Sequence, residues 1–92
     1  MQAKALDVSQ STILVVDDQP DIHHELASAL KEYGYIVKAT GDCSEALLTV
    51  QSYPPDLILL NIFMSQVSGG EFYSVLKSAA IAKNIPIRPL AN

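Results

Sequence analysis

The sequence predicts an α/β fold, an open three-layer parallel sheet with helices on both faces, and three observations carry the prediction. Short apolar, β-branched runs alternate with amphipathic helical stretches, the pattern of successive β-α-β crossovers. The runs "TILVV" (residues 12–16) and "LILL" (57–60) are apolar on both faces, as strands covered by helices on each side are. Gly34 and the Pro54-Pro55 pair punctuate the chain where helices give way to strands.

Residues 1–11 read as a flexible leader, which leaves residues 12–92 as one domain. Thr12 to Val16 forms the first strand and stops abruptly at Asp17-Asp18. Pro20 then falls in the first turn of a helix, where its missing N–H costs nothing. Ile22, Leu26, Ala29, Leu30 and Tyr33 recur at i, i+4, i+7, i+8 and i+11 and form its apolar stripe. Gly34 closes the helix in the left-handed cap position, with Tyr33 and Tyr35 expected to pack around it. Tyr35 to Ala39 is the second strand. Asp42 or Ser44 caps a second helix that turns Ala46, Leu47 and Val50 inward. Asp56 to Asn61 makes the third strand. Beyond a loop at 62–70, Phe72, Val75, Leu76 and Ala79 or Ala80 mark a third helix. The linker "AKN" leads to a fourth strand within "IPIRPLAN", where Pro86 and Pro89 each lack a ladder donor.

Composition removes several functional classes. The chain has 92 residues, is 49% hydrophobic and carries a net charge of -4, with its six basic residues scattered, so no nucleic-acid surface is expected. A single cysteine, Cys43, excludes an internal disulfide and fits a reducing, cytoplasmic setting. No apolar run approaches the ~18 residues of a membrane span, and the first eleven residues lack a signal-peptide core.

In open parallel sheets, ligands sit beyond the carboxyl ends of the strands. Asp17, Asp18 and Asn61 all fall there, which makes them neighbours. The two acids could equally form a solvated strand-to-helix turn, since acids favour helix N-termini. The amide of Asn61 could relieve carboxylate crowding as readily as it could mark a lost reaction. His23 and His24 are adjacent on a helix and point about 100° apart, so they are read as solvated surface rather than as a metal pair. Cys43, at a helix start, is read as a partly buried small side chain, and "SGGE" as a turn.

The pieces "ILVVDD", "QPD", "SEAL", "PPDLILLN", "MSQVSGGEF" and "IPI" stand in the order and spacing of a response-regulator receiver domain, which the chain resembles over residues 12–90. The resemblance implies a flavodoxin-like sheet of strand order 2-1-3-4. It implies that Asp17 and Asp18 hold a magnesium ion, with the backbone carbonyl of Phe63 as a further ligand. It places Asn61 where the family has the aspartate that accepts the phosphoryl group. A hard cation with oxygen ligands is suited to neutralising a phosphate in transfer.

Departures from the family pattern shape the functional expectation. An amide cannot form an acyl phosphate, so Asn61 fills the phosphoacceptor position without its reaction. Ala91 stands where a hydroxyl residue is usual, Ser65 where a proline is usual and Ser68 where an aspartate is usual, while Gly69 keeps the turn residue. The fifth strand with its lysine, and the last helices, are not within the 92 residues. The expectation is therefore a pseudo-receiver: no catalysis, weak or lost magnesium binding, and signalling by contact with a histidine kinase or another protein of a phosphorelay. Self-association through the first helix and fourth strand is expected with it. The alternative is a phosphorylatable receiver represented as a fragment or as an Asp-to-Asn variant.

Overall fold

The computed structural model describes residues 11–61 and 71–90. Its elements run β1 (Thr12–Val16), α1 (Pro20–Glu32), β2 (Ile36–Thr40), α2 (Cys43–Ser52), β3 (Leu57–Leu60), α3 (Glu71–Ala82) and β4 (Ile87–Pro89). The four strands form one sheet of order β2-β1-β3-β4. Every pairing is parallel, with Ile13 opposite both Val37 and Leu57, and Ile58 opposite Ile87. The chain steps one way from β1 to β2 and the opposite way from β2 to β3 to β4. Right-handed crossovers therefore put α1 on one face and α2 with α3 on the other.

The larger core lies on the α2/α3 face. Leu14 and Val16 of β1 and Ile58 and Leu60 of β3 pack there with Ala46, Val50, Phe72, Leu76, Ala80 and Ile85. The alternate residues Ile13 and Val15 are also buried, so β1 is covered on both sides, as its apolar run predicts. On the α1 side the cover is thinner: Leu26 and Leu30 are half-buried, as are Leu57 and Leu59 of β3.

Helix ends follow side-chain chemistry. Asp42 is the cap of α2, its carboxylate accepting from the N–H of Ser44 at 2.8 Å and of Glu45 at 3.2 Å. Gly34 has φ 95° at the end of α1. Its N–H bonds the Lys31 carbonyl, and the Tyr35 N–H reaches back to Leu30, the two bonds of a Schellman turn. The "AKN" linker repeats that device at the end of α3: Asn84 has φ 59°, with Asn84 N–H on Ile81 and Ile85 N–H on Ala80. Asparagine tolerates the left-handed region because its short polar side chain bonds locally.

Several expectations need correction. Tyr33 is 79% exposed, because it is the residue at which the Schellman turn leaves the helix, so its side chain is not part of the α1 stripe. Ala29 is exposed as well, and β2 begins at Ile36 rather than Tyr35. Asp56 precedes β3: its carboxylate accepts from the Thr12 N–H at 2.7 Å and its own N–H donates to the Thr12 carbonyl. Val75 is 52% exposed, because the buried arc of α3 runs through Phe72, Leu76 and Ala80 and leans toward half-buried Tyr73. In β4 the Ile58 N–H donates to the Pro86 carbonyl at 3.0 Å and the Leu90 N–H to the Leu60 carbonyl at 2.8 Å. Alternation then turns the missing N–H of Pro89 to the free side of the sheet, where it blunts the edge.

Candidate functional site

The site is built by strand ends. Val16 is in register with Thr40 on one side and with Leu60 on the other, so the residues that follow these three positions converge. The Asp17 N–H donates to the Thr40 carbonyl at 3.0 Å, and the Asn61 N–H donates to the Val16 carbonyl at 2.9 Å. Asp17 and Asn61 are both buried, at 2% and 6% exposure, and Asp18 is half-buried. The convergence of these residues, expected from the rule for parallel sheets, is what the structure holds.

Asp17 is not a solvated acid. Its Oδ1 accepts from the Gln19 N–H at 2.9 Å and closes the turn that launches α1. Gln19, the cap residue of that helix, gives no side-chain hydrogen bond to it, so Asp17 supplies the local anchoring in its place. Pro20 follows at the start of the helix, which spares one unsatisfied N–H.

A third wall comes from the connection between β2 and α2, which the sequence did not single out. A Cβ on Gly41 would lie 3.0 Å from Asp18 Cα and 3.1 Å from the Asp17 carbonyl oxygen, so a larger residue would fit against the acidic turn only if that backbone gave way by a few tenths of an ångström. Thr40 is buried beside it; its hydroxyl donates to a Glu45 carboxylate oxygen and accepts from the Asp42 N–H at 3.0 Å. The only sequence signal was "TGD" between a strand and a capped helix.

Cys43, half-buried at the start of α2, has its thiol pKa raised. Burial is the main cause, the carboxylates of Asp42 and Asp18 add to it, and a hydrogen bond to the backbone opposes it. His24 is exposed, whereas His23 is half-buried and its Nε2 has no hydrogen-bond partner, so only one of the pair is solvated surface. Among the described residues no cluster of three or more His, Cys, Asp or Glu could hold a metal. The hard oxygens at the strand ends are the two carboxylates and the Asn61 amide, a set chemically suited to magnesium but carrying two formal charges. Phe63, Ser65, Ser68, Gly69 and Ala91 lie outside the described residues, as does the side chain of Ile22.

A parallel sheet of this order, with paired acids at the tip of β1 and a buried polar residue at the tip of β3, is the frame of a receiver. The chain belongs to the response regulator receiver domain family, whose profile matches residues 13–90. It is 40% identical over 81 residues to a probable cyclic di-GMP phosphodiesterase of Vibrio cholerae, covering 88% of this chain and 18% of that protein. The N-terminal domain of a response regulator receiver protein from Methanoculleus marisnigri superposes with a TM-score of 0.77 at 34% identity, over 88% of this chain and 66% of that one. A chain in the crystal structure of histidine kinase ThkA with response regulator TrrA gives 0.75 at 34% identity, over 89% and 69%. The chain spans only 18%, 32% and 54% of three curated relatives. The likeness to the phosphodiesterase is thus to a minor part of that protein. The fold is flavodoxin-like, and the chain is a receiver domain of two-component signalling. Among the described residues no helix is long and apolar enough to cross a membrane.

Proposed function

We propose that this receiver domain takes no phosphoryl group and signals by contact with another protein. The observation that supports the reading is Asn61, buried at the tip of β3 beside Asp17, where the family carries its phosphoacceptor. An amide oxygen is a weak nucleophile, and its attack on a phosphodonor leads to no stable acyl phosphate. The domain is on this reading a binding module and not an enzyme.

Asp17 and Asp18 would hold magnesium, with the Phe63 carbonyl as the ligand that the family resemblance implies. The ion's chemistry is to neutralise charge on a phosphate in transfer. With an amide in place of a third carboxylate, the affinity is weak. A histidine kinase, or a protein that a kinase addresses, is the partner class that the ThkA–TrrA relative supports, and the acidic, single-cysteine chain suits the cytoplasm. The test is incubation with magnesium and a small acyl phosphate, followed by intact mass. The expected result is an unchanged mass; a gain of ~80 Da, one phosphoryl group replacing a proton, would overturn the proposal.

A further inference from the structure

We infer that Thr40 and Glu45 are positioning residues for the Asp17–Asp18 turn, acting through the backbone of Gly41. The inference rests on reading the cluster of Asp17, Asp18 and Asn61 as the functional site, and it holds whether or not that site takes a phosphoryl group.

Thr40 is the last residue of β2, and it joins three elements at once. Its carbonyl accepts from the Asp17 N–H at the end of β1, at 3.0 Å. Its hydroxyl accepts from the Asp42 N–H, at 3.0 Å, and donates to Glu45 in the first turn of α2. A hydroxyl has one proton, so an acceptor at Glu45 fixes its rotor and aims a lone pair at Asp42. Glu45 is steadied by Lys38, whose Nζ lies 3.7 Å from the other carboxylate oxygen. Both of those side chains are about half exposed, so the ion pair contributes little by itself. What Glu45 supplies is the acceptor for Thr40.

Gly41 sits between these two anchors, backbone against backbone with Asp17 and Asp18. The two nearest atoms to an added Cβ there are backbone, and the next is the Asp18 Cβ at 3.6 Å, so little at that contact can swing aside. Movement of the β2–α2 connection is therefore passed directly to the acidic turn. The same contact works in reverse: whatever binds or neutralises the two acids is felt at the first turn of α2, since coupling between sites is reciprocal.

The test is amide hydrogen exchange, read by NMR on the whole chain, for Thr40→Val, Thr40→Ser, Glu45→Ala and Gly41→Ala. Thr40→Val is expected to speed exchange at Asp17, Gln19 and Asp42 by about tenfold, the factor implied by losing one hydrogen bond of ordinary net strength. The central amides of Leu14 and Ile58 should exchange as in the parent chain. Thr40→Ser keeps the hydroxyl and should restore the parent rates, which a purely packing role for the methyl group would not allow. Gly41→Ala leaves the hydroxyl intact and should accelerate Asp17 and Gln19, and Glu45→Ala, which removes the acceptor of that hydroxyl, should accelerate Asp42; these two decide the matter if Thr40→Val does not fold. Parent-like rates at Asp17 and Gln19, or equal acceleration at Leu14 and Ile58, would overturn the inference. A mass gain with a phosphodonor would instead overturn the proposed function and leave this one standing.

Discussion

Asn61 and Asp17 meet one step beyond the last in-register pair of β1 and β3, and the Asn61 N–H closes on the Val16 carbonyl at 2.9 Å. The strand tip beside the acidic pair thus ends in a neutral polar group. A carboxylate there would add a third negative charge to a small, partly dehydrated space, where like charges oppose joint ionisation.

Asn61→Asp is accordingly expected to destabilise the domain at neutral pH by about 1–2 kcal/mol, the equivalent of a carboxyl pKa displaced by roughly one unit. Urea unfolding with and without millimolar magnesium checks this. The cation should recover part of the loss in the variant and change the parent little; a more stable variant in the absence of cation would refute the crowding argument.

Replacing Asp42 by alanine removes the acceptor for the Ser44 and Glu45 N–H groups. The expected cost is about 1 kcal/mol, within the usual range for a lost helix cap. Asp42→Asn keeps an oxygen in place and should cost much less. Chemical denaturation of the two variants side by side measures the difference.

The Cys43 thiol should alkylate slowly at mildly alkaline pH, because burial and then the charges of Asp42 and Asp18 hold its pKa up and shrink the thiolate fraction. Asp18→Asn removes one of those charges and should move the rate profile to lower pH. The linkage sign follows: a thiol raised in the folded state favours folding below its unfolded pKa, and that contribution is lost as pH rises through the folded value. Iodoacetamide kinetics across pH 7–10 would check the direction, and a profile lying below that of an unstructured cysteine would contradict it.

Leu76 has no exposed surface and lies in the core between the sheet and α3. Leu76→Ala should cost about 2–5 kcal/mol, enough to unfold much of a domain this small. Val75, one residue earlier, is half exposed, and Val75→Ser should stay within about 0.5 kcal/mol of the parent. Melting curves for the two substitutions test the facing of α3 directly.

What could be read from the chain depended on how local the signal was. β1 and β3 announced themselves because strands covered on both faces are apolar throughout, and the parallel sheet then placed Asp17, Asp18 and Asn61 together. β2 is an edge strand with Ile36, Lys38 and Ala39 exposed, so its pattern is faint and puts its start one residue too early. The turn at Asn84 is not legible in the sequence, because a left-handed asparagine has no signature as strong as glycine's. Val75 required knowing which side of α3 meets the sheet. The wall formed by Thr40, Gly41 and Glu45 depends on contacts with β1, more than twenty residues earlier, and no local rule reaches that far.

Of the two inner strands of the sheet, β1 is also the first of the four in the chain. Thr12 and Asp56, which clasp each other at its base, are 44 positions apart, so β1 can satisfy only one side until β3 has been synthesised. Until then its most apolar stretch has β2 as its one strand partner. Pairings of such long range are slow to close. Until β3 pairs with it, that edge of β1 is an open template for another strand, and any delay in forming residues 57–60 lengthens the exposure.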